Sequence, residues 1–186
     1  MSLLHKLIEQ LDRGFVNGPL ASPLVLRRVR RAVLRAMRYD VHPTACIAER
    51  CYIGSRRVSF AAGSFANVGC YFDGNDDIRI GEGVQIGMWS LFTTATHEIS
   101  GSDARRAGAD IARPIHIGHG AWIGARSTVL PGTAVGKGTV IGAGSLVTRD
   151  CDADAVYVGS PARRVRSLDV NTGGDGSRPD RSAVLQ

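Results

Sequence analysis

Between Ile117 and Val147 an aliphatic side chain returns at every sixth position: Ile117, Ile123, Val129, Val135, Ile141 and Val147. The slot two residues before each successor is small, at Ala121, Ser127, Thr133, Thr139 and Ser145. Glycine precedes that slot at Gly120, Gly132, Gly138 and Gly144, and follows the aliphatic residue at Gly118, Gly124, Gly136 and Gly142. A helix repeats its apolar face every three or four residues, so a period of six excludes one, and short-period self-similarity is the mark of a solenoid. Three short strands per coil make a triangular prism, a mainly β fold. One aliphatic side chain per strand points inward, and glycine supplies corner conformations closed to residues with a Cβ.

The pattern differs ahead of this block. Leu3, Leu4, Leu7, Ile8 and Leu11 predict a helix over 2–11 with Gly14 as its stop. After the break NGPLASP, a second helix over 23–38 places Leu26, Val29, Val33 and Met37 on one stripe, opposite Arg27, Arg28, Arg30, Arg31, Arg35 and Arg38. Residues 1–40 therefore read as a helical cap over the open end of the prism, where unpaired strands would invite edge pairing, and 41–168 as the solenoid. The repeat enters at Ile47 and Ile53, breaks at Ser59 and continues through Phe65 and Tyr71. The stretch DGNDD then shifts its phase before Ile80, Ile86 and Phe92, so a loop over 74–77 projects. A longer interruption, 97–114, reads as an inserted loop, and such loops gather on a binding face. Residues 169–186 are polar and glycine-rich and read as a disordered tail.

Composition narrows the class without changing the fold. The chain of 186 residues is 44% hydrophobic and 22% charged, as a one-domain soluble protein should be, and its 6% aromatics suit an interior too narrow for large rings. The formal charge of +6 raises the question of nucleic acid or membrane. The arginines of 27–38 read first as a solvated face, and contact with an anionic surface is the alternative; nucleic acid is not an expected partner. No secretory leader pattern opens the chain and no run approaches a membrane span, so the expected location is cytoplasmic. Cys46, Cys51, Cys70 and Cys151 lack metal-site spacing and read as reduced thiols in small interior slots. GEGVQIG, GHGAWIG and GKGTVIG are one residue too long for a dinucleotide loop, and the six-residue period accounts for them.

The segments TATHE, AWIGA, GAGSLVTRD and VGSPARRVR, set in this repeat from about residue 44 to 166, resemble the hexapeptide-repeat acyltransferases, the family of galactoside, maltose, serine and xenobiotic acetyltransferases. The resemblance implies a left-handed parallel β-helix, a homotrimer, and acyl transfer, most simply acetyl, from coenzyme A to a hydroxyl of a sugar or other small molecule. It makes His97 the general base that takes the acceptor's proton, a task suited to imidazole because it titrates near neutral pH. Either Glu98 or a main-chain carbonyl would orient the ring. The resemblance places the acceptor at Asn67, Asp73 and Trp122, though the segment between Asn67 and Asp73 is one residue shorter than the galactoside-type pattern. A turn aspartate before Gly74 is the other reading of Asp73. Trp122, in the sixth slot, should face outward at a subunit boundary. Coenzyme A would run along Ala125 and Ala143 by its pantetheine arm and meet Thr148, Arg149, Arg163 and Arg166 with its adenine and phosphate end, where the arginine fork suits phosphate.

Two other readings share the prism. A γ-class carbonic anhydrase would bind zinc through histidines of adjacent subunits, but needs a histidine pair four residues apart, and the chain offers only His116 and His119 with two between. No metal is therefore expected. A non-catalytic trimeric scaffold is the third reading, and the histidine, tryptophan and SPARRVR pattern argue for an enzyme over it.

Overall fold

The computed structural model describes residues 3–101 and 104–168. The predicted tail, 169–186, lies outside the described residues. Two helices, α1 (Leu3–Asn17) and α2 (Arg27–Ala36), lead into a parallel solenoid with three faces. The first face stacks Cys46–Ile47, Phe65–Ala66, Gln85–Ile86, Trp122–Ile123, Val140–Ile141 and Ala155–Val158, and is closed by the antiparallel strand Arg163–Ser167. The second stacks Tyr52–Ile53, Tyr71–Phe72, Leu91–Phe92, Thr128–Val129 and Leu146–Val147, and the third Val58–Phe60, Ile78–Ile80, Ile115–Ile117 and Ala134–Val135.

In the regular block every predicted ladder residue from Ile117 to Val147 is buried, as are Ala121, Ser127, Thr133, Thr139 and Ser145. The buried hydroxyls are satisfied within the wall: Ser127 donates to the carbonyl of Gly142 at 3.1 Å and Thr133 to that of Leu130 at 2.8 Å. Cys51, Cys70 and Cys151 are buried free thiols and Cys46 is half-buried. The glycines are needed for two different reasons. Gly138 holds a corner at φ +63°, whereas a Cβ on Gly124 would lie 2.4 Å from the Ala143 amide of the next coil.

The earlier coils depart from the expected phase. Phe65 and Tyr71 do not point inward. Tyr71 is exposed and stacks on Tyr52 at 4.3 Å, while Ala66 and Phe72 take the inward places. One extra residue between Ile53 and Phe60 causes the shift, and Ser59 sits outward between inward Val58 and Phe60. Nor is the interior closed to rings: Phe60, Phe72 and Phe92 are fully buried and pack in a column, with centroids 5.2 and 4.9 Å apart. Ala66 leaves the space that the rings fill.

The cap also differs from its expectation, because the prism's open end presents strand carbonyls that need donors. Gly14 does not stop α1, which runs on to Asn17; Gly18 follows its end, where a Cβ would meet the Gly14 carbonyl at 2.8 Å. Asn17 pairs its side-chain amide with the backbone of Ile53, donating to the carbonyl at 2.9 Å and accepting from the amide at 2.7 Å, as another strand would. Arg30, expected on a solvated face, is 3% exposed and donates to the carbonyls of Leu20, Ser22 and Ile47. Arg31 donates to that of Ala45. Desolvation lowers the Arg30 pKa, yet arginine starts so high that the group stays charged. The inward stripe of α2 is accordingly Arg30 and Leu34 with Val33 and Met37 beside them, and Leu26 and Val29 are exposed. Val41 bridges Phe60 to close the third face.

Candidate active site

The interruption expected to be a loop is a β-hairpin arm. Ala95–Ile99 pairs antiparallel with Ala107–Ala112, and the register sets His97 opposite Asp110. Nδ1 of His97 lies 2.9 Å from Oδ1 of Asp110. Glu98 is exposed, and the contact that the ring makes is with the cross-strand carboxylate. With Nδ1–H donating to Asp110, the lone pair is left on Nε2. Asp110 is the site residue missed in the sequence. The signal was the pairing of THEI with ADIA about a polar, glycine-containing turn, which makes the two residues cross-strand neighbours only once a hairpin is assumed.

Asp73 stands where the second face meets the arm. Its Oδ2 accepts from the Thr93 hydroxyl at 3.0 Å and from the amides of Thr94 at 2.8 Å and Ala95 at 3.1 Å. Its Oδ1 accepts from the Thr94 hydroxyl at 2.5 Å. Burial pushes the carboxyl pKa up, but the hydrogen bonds from Thr94, Ala95 and Thr93 together outweigh it and hold the group below its ordinary value. Asn67 is half-buried at the first-face corner, and its side-chain oxygen accepts the Val68 amide at 2.8 Å. A polar cavity of about 750 Å³ lies between α1 and the 74–77 loop, lined by Asp12, Arg13, Tyr39, Ser55, Arg56 and Asp73 among others. Within it Arg56 pairs with Asp12 at 2.8 Å, and burial, then Asp12, push the Tyr39 phenol up to about 12, so it stays a donor.

Trp122 is 54% exposed on the first face, outward as expected, between Gln85 and Val140 of the flanking coils. Ala125 and Ala143 occupy the same corner in successive coils, linked by the Gly144 amide donating to the Ala125 carbonyl at 2.8 Å. Thr148 and Arg149 are exposed just after the strand Leu146–Val147, the Ala162 amide donates to the Leu146 carbonyl at 2.7 Å, and the Arg163–Ser167 strand that follows pairs with Ala155–Val158 on the first face. Arg163 and Arg166 are exposed on that strand. Within one protomer Ala125 and Ala143 thus share the corner between the first and second faces, Thr148 and Arg149 stand past the other end of the last second-face strand, and Arg163 and Arg166 lie on the strand that closes the first face. His97 is on an arm that leaves the second face at the end opposite Ala125 and Ala143, the end past which Thr148 and Arg149 also stand in a later coil. His116 and His119 are exposed, and among the described residues no three His, Cys, Asp or Glu side chains are grouped to hold a metal ion.

The family model described as bacterial transferase hexapeptide (six repeats) matches residues 114–149. A galactoside O-acetyltransferase of Lactococcus lactis is 36% identical over 145 residues, covering 72% of this chain and 70% of that protein. The chain belongs to the hexapeptide-repeat acetyltransferases. It spans about half the length of other curated relatives that it matches. Among solved structures, a hexapeptide-repeat acetyltransferase of Vibrio cholerae in complex with acetyl coenzyme A is 28% identical, covers 90% of this chain and 91% of its own, and has a TM-score of 0.77. A maltose O-acetyltransferase of Clostridium difficile is 27% identical, covering 87% and 89%, with a TM-score of 0.68. The solenoid is accordingly a left-handed parallel β-helix of this family.

Proposed function

We propose that this acetyltransferase moves an acetyl group from coenzyme A to a hydroxyl of a sugar or comparable small molecule, with His97 as the general base. The observation that carries the reading is the contact of His97 with Asp110 at 2.9 Å. It fixes the tautomer and leaves Nε2 to accept a proton. An alcohol is too weak an acid to ionise beforehand, so Nε2 takes its proton while the oxygen attacks the thioester carbonyl. As the carbon–sulfur bond breaks, the same proton passes to the departing thiolate. The Asp110 carboxylate steadies the imidazolium that forms between these steps.

Asn67 and Trp122 would contact the acceptor, and the polar cavity beside Asp73 suits a molecule rich in hydroxyls. Ala125, Ala143, Thr148, Arg149, Arg163 and Arg166 would hold coenzyme A. Since the His97 arm and the Ala125–Ala143 corner stand at opposite ends of the second-face strands in one protomer, the working assembly would be a homotrimer in which an arm and a corner from neighbouring chains meet beside the exposed Trp122.

His97→Ala tests the reading. It should lower turnover on the order of 10²–10⁴-fold, the worth of a positioned base, and leave the fold intact because the arm is exposed. His116→Ala and His119→Ala should change turnover little. Retention by His97→Ala of more than about a tenth of wild-type turnover, where chemistry limits the rate, would remove His97 from the role.

A further inference from the structure

The geometry points to Asp73 as a positioning residue for the catalytic arm and not a ligand of the acceptor, an inference that rests on His97 being the base. A carboxylate offers about four lone-pair sites. Thr93, Thr94 and Ala95 set four donors on them at 2.5 to 3.1 Å, three on Oδ2 and one on Oδ1, and the Asn75 amide adds a longer contact to Oδ1 at 3.4 Å. An acceptor hydroxyl would have to displace one of these. The three residues are also those through which the chain passes from the second face into the arm: Phe92 is the last buried residue of the face, and Ala95 opens the arm strand. Residues two apart on a strand share a side, so Ala95 and His97 project together.

The rest of the arm has little to hold it. Its strands are half-buried at most, and a two-stranded hairpin is marginal by itself. What fixes it is its root. Thr94, fully buried, accepts the Arg113 amide on its carbonyl at 2.9 Å, which closes the second arm strand against the first. Its hydroxyl accepts the Asp76 amide at 2.9 Å, and Asp76 and Asp77 are both paired with Arg57 of the coil before. Asp73 and Thr94 therefore form a clasp that ties the arm to the 74–77 loop, and the direction of the arm sets where Nε2 of His97 stands.

The test compares Asp73→Asn, Thr94→Val and the double variant, with acetyl coenzyme A and whichever of a galactoside and maltose is acetylated. Hydrogen exchange of the arm amides, which needs no acceptor, is measured in parallel. Each single variant should lower kcat roughly tenfold to a hundredfold, the scale of a misplaced catalytic group, with acceptor KM held within about twofold. The arm amides should exchange faster, and the double variant should be no worse than the poorer single one. A raised acceptor KM in Asp73→Asn with kcat retained, and a silent Thr94→Val, would make Asp73 an acceptor ligand and overturn the proposal. So would a lower melting temperature with kcat and arm exchange unchanged, since that is a purely structural role. His97→Ala separates the two readings. Faster arm exchange in Asp73→Asn with turnover indifferent to His97 keeps the clasp and removes the base. Unchanged exchange beside an inactive His97→Ala removes the clasp and keeps the base.

Discussion

The coils before the arm and the coils after it obey the same geometry by different means. After the arm, Ile117 to Val147 repeat without a slip, and Ile or Val fills every inward place. Before it, one residue is added between Ile53 and Phe60 and two between Phe72 and Ile80, and the inward set mixes Ala66 with Phe60, Phe72 and Phe92. The prism tolerates this because close packing depends on the volume of a whole coil: rings on two faces complement an alanine on the third. Added residues that would be misplaced inside are turned outward, where they form the 74–77 loop and its Arg57 pairs. The difference teaches where function is housed. On the proposed reading the regular block would supply a straight corner for an extended thiol ester, and the irregular coils the loop, the clasp and the arm.

That contrast can be broken by substitution. Phe72→Ala should give the largest effect, a loss of about 3–5 kcal/mol of unfolding free energy, because the ring column cannot collapse around the gap. Ile141→Val in the regular block should cost only about 0.5–1.5 kcal/mol. Denaturant midpoints at constant m-value measure both, and equal losses would mean that the mixed interior is as adaptable as the uniform one.

A smaller effect separates the two halves by kinetics. Replacing Arg149 and Arg166 together with alanine should raise KM for acetyl coenzyme A by roughly tenfold with kcat at saturation nearly unchanged, as loss of uniform binding requires. If kcat falls and KM does not, coenzyme A does not lie along the regular end.

The smallest effect is electrostatic and confined to the irregular half. The folded Asp73 carboxyl is held below its unfolded pKa, so its stabilisation is complete above the unfolded value, about 4, and is lost as pH falls through the folded value. The stability difference between wild type and Asp73→Asn should thus be level near neutrality and narrow below about pH 4. A difference that stays constant into acid would show that the threonines do not discriminate the charged form.

The sequence alone determined the solenoid, its coil size, the buried small residues, the outward Trp122 and the family. These follow from a local rule in which every sixth side chain meets the same environment, so periodicity is enough. It also marked His97, since TATHE stands at the lip of an interruption. The tertiary structure decided what depends on pairs distant in the chain. A slip of one residue at Ser59 exchanges the faces of Phe65 and Ala66, and only the stacking of coils reveals which side is inside. Arg30 became a cap because the end of a solenoid exposes carbonyls, a need that no periodicity within α2 announces. Asp110 reached His97, and Asp73 the arm's root, through contacts between residues 13 or more apart in the chain, whose partners are chosen by register and not by spacing.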